Sequence, residues 1–437
     1  MSGQKALVVA GLLVALAVFS ACQRRPAPKV KAQPTATPAP KPTPTPPIYV
    51  PNKRIETGKI FNGMQFRSEL VTEWGSTATA ERETPSSYAA ELVIRVKVPK
   101  PNTTLPQITQ LNEELPSVLP GLEEMVATAK VSDYYDNLYR AKVNNIRAEM
   151  NRLDQVPTRH NFFDCETILE LEHPRTKRKA LMVQADMDVD TDGSDSDRVS
   201  DVENTSMTYQ TMTSYKWRKR TANPNPLIPL REARRKRYAD ELASSSISAE
   251  RAADLRAAIK RLDLELLELN TTSSLVSKVD PFIVLPSAMV GKNRLPFTPR
   301  LGDYCAVVHK GMIYPAILGD LGPSSVIGEA SLRLCKAINE RANGNNRPMS
   351  HLKITYLVFP DTADKPFGPP DFELWQKRVA QLLQEIGGYT GELHMWEDLT
   401  KPSPTPTPTP TPSPSVAPSP SAAPVPSLSP GASPKSA

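Results

Sequence analysis

GDYCAVVHKGMIYPAILGDLGPSSVIGEASLRL, residues 302–334, decides how the chain folds. Two apolar runs, Ala306-Val307-Val308 and Pro315-Ala316-Ile317-Leu318, lie on either side of His309-Lys310-Gly311. Short apolar runs bounded by turn residues predict buried strands joined by a tight turn. A Gly-rich connection follows and leads into an expected helix from Ala330 to Asn339. Asp320 and Glu329 stand at the two sides of that connection, where Gly319, Gly322 and Gly328 permit close backbone turns. Two carboxylates on a strand end and a helix start suit acid/base cleavage of a glycosidic bond. One protonates the leaving oxygen and the other handles a water. The same residues equally fit a turn Asp and a first-turn helical Glu with no chemistry, so the stretch alone leaves both readings open.

Further strands are expected on both sides. Leu181, Val183, Ala185, Met187 and Val189 alternate with polar residues, and Phe282-Ile283-Val284-Leu285 and Ile354-Thr355-Tyr356-Leu357-Val358-Phe359 are compact apolar runs. Turn residues separate them, which predicts a barrel or sandwich core. The expected class is mainly β (α+β): a β-barrel-like domain with peripheral helices, including one over Phe372 to Ile386. The strand–Gly-Asp–Gly pattern is also similar to that of double-psi barrels.

Residues 227–272 read as a helical hairpin inserted in this domain. Leu255, Ile259, Leu262, Leu266 and Leu269 recur at alternating spacings of four and three, a short heptad stripe. Ser248 and Glu250 supply a helix start, the hydroxyl capping free amides and the acid suiting the helix dipole. The stripe is expected to pack on Leu230–Leu242 rather than on a second copy. Upstream, residues 52–179 read as a packing region without assigned chemistry. It has an alternating strand over Ala90–Val98 and helical signals from Leu119 to Leu153, with Tyr134, Leu138 and Val143 on one face.

The ends are of a different kind. Lys5, the apolar run Ala6 to Phe19 and then Ser20-Ala21-Cys22 predict a targeting segment over residues 1–22. Its ending resembles a bacterial lipobox, which implies export and a lipid anchor on Cys22. Residues 23–51 and 400–437 are dominated by Pro with Ala, Thr, Ser and Lys; such segments favour extended polyproline II and cannot bury a core. Among 437 residues there are 45 prolines, so the globular body is smaller than the length suggests. With Cys22 spent, Cys165, Cys305 and Cys335 allow at most one disulfide, and without C-x-x-C or zinc spacing they are expected to be buried thiols.

Seven aspartates crowd residues 186–201: Asp186, Asp188, Asp190, Asp192, Asp195, Asp197 and Asp201. Asp188-x-Asp190-x-Asp192-Gly193 opens like a calcium loop, but position twelve is Val199 rather than Glu. A solvated acidic face and a row of carboxylates for a polycation are the other readings. In the last, fixed negative charge attracts substrate at long range, with Asp190 and Asp192 as candidates. The net charge of +6 arises from segregated clusters, among them Arg218-Lys219-Arg220 and Arg231–Arg237; export argues against nucleic acid as their partner. The five histidines lack ligand spacing, and no H-E-x-x-H, phosphate loop, dinucleotide fingerprint or G-x-S-x-G occurs. No metal or cofactor is expected, and the protein is expected to be monomeric.

The Gly319-Asp320 pair, Ile327-Gly328-Glu329-Ala330-Ser331 and Thr355-Tyr356-Leu357-Val358-Phe359 resemble glycoside hydrolase family 75, the fungal-type chitosanases. Phe282-Ile283-Val284-Leu285-Pro286 is similar to that family's Pro-preceded strand, and Asp190-Thr191-Asp192-Gly193 to its upstream Asp-rich element. The resemblance covers residues 281–360, with a weaker patch at 181–193. It implies Asp320 and Glu329 as the catalytic pair and hydrolysis of internal β-1,4 links of chitosan with inversion. The catalytic domain is then residues 180–399; the helical insertion and the N-terminal region depart from the family pattern. Two other functions fit these residues: cleavage of peptidoglycan, and non-catalytic binding to the cell wall.

Overall fold

The computed structural model describes residues 75–88, 96–152, 162–201, 209–244, 246–291, 295–345 and 348–401. The expected targeting segment with Cys22, the 23–51 linker and all but the first two residues of the 400–437 tail lie outside them.

Short helices α1 (Ala78–Glu83), α2 (Leu105–Thr109), α3 (Leu115–Val118) and α4 (Leu122–Val126) precede β1 (Lys130–Val131) and the long α5 (Asp133–Arg152). The α5 face that packs inward carries Tyr135, Leu138, Tyr139 and Ile146, so it lies beside the expected one: Tyr134 and Val143 are only part-buried. Of the strand expected over Ala90–Val98, residues 90–95 lie outside the described residues, and 96–98 form no strand.

β2 (Cys165–Glu172) and β3 (Lys179–Asp190) form an antiparallel hairpin, so the sheet begins upstream of the boundary expected at residue 180. After β4 (Lys216–Arg218), α6 (Ile228–Leu242) and α7 (Ala249–Thr271) make the expected hairpin, which returns to β5 (Thr272–Ser274) paired with β4. Leu255, Leu262 and Leu269 of the heptad stripe are buried, and Ser248 caps α7 by accepting the Arg251 N–H at 3.2 Å. Arg231–Glu265 (2.6 Å), Arg235–Asp263 and Arg251–Glu241 (2.8 Å) join the two helices.

β6 (Phe282–Pro286), β7 (Tyr304–His309), β8 (Met312–Gly322), β9 (Glu329–Ser331) and, after α8 (Leu332–Ile338), β10 (Met349–Val358) complete the core. Helix α9 (Phe372–Glu385) and β11 (Glu392–Leu393) follow. The ladder runs β3-β10-β7-β8-β6-β9 and returns to β3, closing a six-stranded barrel. The β6–β8 and β3–β9 pairs are parallel and the rest antiparallel. Lys310 and Gly311, both at positive φ, make the two-residue β7–β8 turn, whose twist matches that of the strands.

Both strand faces are covered, which is why β7 reads as an unbroken buried run. One face packs Met182, Phe282, Tyr304 and Ile317 with helices α2–α4 and α9. The other packs Val183, Ile283, Val307 and Leu318 with α5 and α8. Each fully buried Leu or Ile contributes about 1.5–3 kcal/mol, so the two cores are ample to hold the barrel. Cys165, Cys305 and Cys335 are buried free thiols.

Candidate active site

A bulge aims the first carboxylate. The β6–β8 register breaks between Ile283 and Val284: Ile283 pairs with Leu318, but Val284 pairs with Asp320. Gly319 is therefore an extra residue on β8, and one extra residue reverses the side-chain alternation. Asp320 thereby leaves the face of Leu318 and emerges on the face of Val284. Only glycine fits at the bulge, since a Cβ there would lie 2.6 Å from Leu275 Cδ1 and from Phe282 Cβ.

β9 borders the opposite edge of β6. Val284 pairs with Glu329, and Glu329 pairs in turn with Asp188 of β3. Asp188, Glu329, Val284 and Asp320 thus form one transverse row over four strands. Residues directly opposite project to the same face, so three carboxylates share it. With strands about 4.8 Å apart, the Asp320 and Glu329 backbones stand roughly 10 Å apart. Gly322 leaves space for the second carboxylate: a Cβ there would sit 3.2 Å from Glu329 Oε2.

The expectation that Glu329 opens a helix is corrected. Glu329–Ser331 is a strand because its two edges are taken by β3 and β6. The helix starts at Leu332, where Ser331 accepts the Leu334 N–H at 3.3 Å.

The aspartate row divides by role. Asp190, at the end of β3, turns the chain by accepting the Asp192 N–H at 2.7 Å, and Asp192 accepts the Gln210 N–H at 2.7 Å. Carboxylate oxygens of Asp190, Asp192 and Asp320 all lie within 4.8 Å of one another. Asp190 Oδ2 is buried without a hydrogen-bond partner among the described residues. Asp195 and Asp280 instead hold Arg198, with Asp280 bidentate at 2.9 and 2.8 Å. Asp197 ties the Arg220 and Thr221 amides, and Asp201 pairs with Lys278 at 2.8 Å. The calcium-loop reading fails on geometry: Asp188 and Asp190 belong to a strand paired with β9, not to a loop that wraps an ion. The three gathered carboxylates remain a place where a cation, metal or ammonium, would be held.

Burial and mutual repulsion separate the acids electrostatically. Glu329 is pushed up to about 8 by burial and by the charges of Asp188, Asp192 and Asp320. Asp192 is pushed to about 7 by burial, with the Gln210 amide opposing, and Asp190 lies well above the carboxylate range by burial beside Asp192, Asp320 and Glu329. Burial raises Asp320 too, but it is the acid with the most help in ionised form. Its Oδ1 accepts Ser214 N–H (2.9 Å), Ser214 Oγ–H (2.5 Å) and Leu321 N–H (2.7 Å).

All four expected residues of the site, Asp190, Asp192, Asp320 and Glu329, therefore meet in one acidic region. Sequence reasoning missed Ser214, which lies 106 positions from its partner in a polar stretch carrying no motif. It also passed over Asp188 as a site residue, although alternation with Asp190 and Asp192 placed it on their face.

Residues 187–394 match the family model described as fungal chitosanase of glycosyl hydrolase group 75. No curated protein matches the chain. The matched segment contains the bulge at Gly319, the whole carboxylate row and Ser214. Over residues 187–394, a little under half of the chain, the protein is similar to glycosyl hydrolase group 75, which supports glycoside hydrolase chemistry for this barrel.

Proposed function

We propose that the protein is an endo-acting chitosanase that cleaves β-1,4 links with inversion, Glu329 serving as general acid and Asp320 as general base. The observation that supports this reading most is the backbone row, in which the two carboxylates flank Val284 on a single face in contrasting environments. Inverting glycosidases keep their carboxyl groups about 6.5–9.5 Å apart to admit a water, and a two-strand separation is of that order. Glu329 retains its proton to near pH 8 and is suited to donate it to the glycosidic oxygen as the C1–O bond breaks. Asp320 is held through Oδ1 by Ser214 and Leu321, leaving Oδ2 to take a proton from the water that attacks C1 from the opposite side. Burial and mutual repulsion favour the neutral forms of Asp190 and Asp192 in the free protein, and an ammonium of deacetylated glucosamine entering beside them would favour their ionised forms.

The test is release of reducing ends from chitosan, chitin, peptidoglycan and cellulose by the purified protein, with product anomers followed by NMR. Chitosan should be cleaved fastest, with inversion. Folded Asp320→Asn and Glu329→Gln should each lose at least about a hundredfold in turnover, the low end of acid–base contributions. Near-normal turnover in either variant would overturn the site; retained configuration would overturn the mechanism. We further read the chain as exported and tethered by lipid on Cys22, so Cys22→Ser should abolish fatty-acid labelling and release it from membranes.

A further inference from the structure

We infer that Lys142, Asn145 and Asp164, all upstream of the family-matched segment, are positioning residues that clamp the loop joining Asp320 to Glu329. The inference rests on the reading of those two carboxylates as the catalytic pair.

Residues 323–328 connect β8 to β9 and end in Gly328 at positive φ. Such a loop has little of its own to fix it: Val326 N–H reaches Pro323 O at 3.2 Å, and Ser324 and Ser287 hydroxyls meet at 3.2 Å. Helix α5 supplies the stronger hold. Lys142 Nζ donates to Ser325 O at 2.6 Å, and Asn145 Nδ2 donates to Ser325 Oγ at 2.6 Å. Lys142 Nζ also lies 2.7 Å from Asp164 Oδ2, with both side chains 2% exposed. The same Oδ2 accepts the Ile327 N–H at 3.3 Å.

The contacts continue to β3. Asp164 O accepts the Asp186 N–H at 3.1 Å, and Gly328 O accepts the Asp188 N–H at 2.7 Å. Loop, clamp and β3 are thus one bonded unit, and Glu329 leaves it already in register with Asp188. Packing alone does not call for a lysine at 142. It sits on the buried face of α5 between Leu138 and Ile146, where an apolar side chain would avoid the cost of burying a charge. What the polar pair adds is a grip on a backbone carbonyl and a backbone amide of the loop. Small displacement of a catalytic group, about 1 Å, is enough to cost on the order of a hundredfold in rate.

The experiment uses the full chain carrying Lys142→Met with Asp164→Leu. Apolar replacement of both members of a buried pair generally keeps the fold, while here it removes the grip on Ser325 and Ile327. Turnover on chitosan should fall at least tenfold with KM within about twofold. The alkaline limb of the pH profile should move to lower pH as Glu329 gains water. Amide exchange at residues 326–328 should quicken more than exchange elsewhere in the barrel, even though the unpaired Ser325 carbonyl and Ile327 amide lower the melting temperature. A folded double variant with wild-type turnover, pH limb and exchange would overturn the clamp. Should that variant not fold, Asn145→Ala with Ser325→Ala removes the outer contact from surface positions, and unchanged turnover there overturns it. If the wild type cleaves none of the polymers, the catalytic reading fails, and the exchange measurement alone then decides the clamp.

Discussion

Asp320 and Glu329 pair through the backbone with the same residue, Val284, from its two sides. Their separation is therefore set by the β ladder, the stiffest spacing the fold offers, rather than by the loop between them. That arrangement depends on the Gly319 bulge, without which Asp320 would point into the core with Leu318. The loop sets a different variable, the register in which Glu329 enters β9.

The pH dependence has a defined sign. If Glu329 is the proton donor, it works only while protonated, and turnover should decline as pH rises through about 8. Stability should move the same way. A carboxyl whose folded pKa is raised binds its proton more tightly when folded, so its contribution is full below the unfolded value and is lost as pH rises through the folded one. For Glu329 that window runs from 4.5 to about 8, and Asp192 acts in the same direction up to about 7. Thermal melts should give a lower melting temperature at pH 8 than at pH 5. Glu329→Gln should melt higher than wild type at pH 8, despite losing activity. A wild-type melting temperature that climbs across this range would contradict the burial of these acids.

The two glycines flanking Asp320 should separate stability from activity. At Gly319 a new Cβ meets Leu275 and Phe282 in the packed core, so Gly319→Ala should cost about 1–3 kcal/mol as overpacking and impair turnover as well. At Gly322 the nearest atom is the Glu329 carboxylate, the mobile end of a side chain. Gly322→Ala should leave the melting temperature nearly unchanged and lower turnover about tenfold. Equal melting temperatures for the two variants would contradict the bulge assignment.

Much of this was legible in the sequence, for physical reasons that also mark where it stopped. β6, β7, β8 and β10 were readable because burial on both faces leaves unbroken apolar runs. The helical hairpin was readable because its stripe follows the helix period. Glu329 was misread as helical because Glu-Ala-Ser-Leu has helical propensity, and pairing with two distant strands overrode it. Ser214 and the Lys142 clamp were invisible because each acts through a contact more than a hundred positions away. The bulge was invisible for another reason: a glycine before an aspartate signals a turn, and only the register of β6 shows that it reverses a face.

The acidic group invites a direct comparison of its two possible cations. If Asp190 and Asp192 serve a polycationic sugar, Asp190→Asn and Asp192→Asn should weaken binding of deacetylated oligomers more than of acetylated ones. Chelator should then leave the melting temperature unchanged. A metal held by Asp190, Asp192 and Asp320 would give the opposite pattern: chelator would lower the melting temperature, and binding of both oligomers would fall alike. Calorimetry with the two oligomers, with and without chelator, distinguishes them.

The helical hairpin should be dispensable for the chemistry. None of the site carboxylates lies in it, and the strands at its base hold each other: Arg218 of β4 pairs with Thr272 of β5. The chain thus returns at Thr272 to the strand it left at Arg218, and a linker has only to lead from Leu227 back to β5. Asn225, just before α6, is to be retained, because its side chain donates to Ser194 Oγ at 2.9 Å beneath the aspartate turn. Replacing residues 228–271 with a short Gly-Ser linker should keep turnover on short oligomers within about tenfold, equivalent to about 1.4 kcal/mol of barrier. Affinity for long polymer is a separate matter. The exposed Arg234 and Arg237 of α6 carry positive charge that would repel a polycationic chain at long range, so their removal should raise its association at low salt. Steady-state kinetics on a dimer-to-hexamer series and on polymer, at two ionic strengths, reads both effects. A folded deletion with no turnover on any oligomer would show that the hairpin builds part of the site itself.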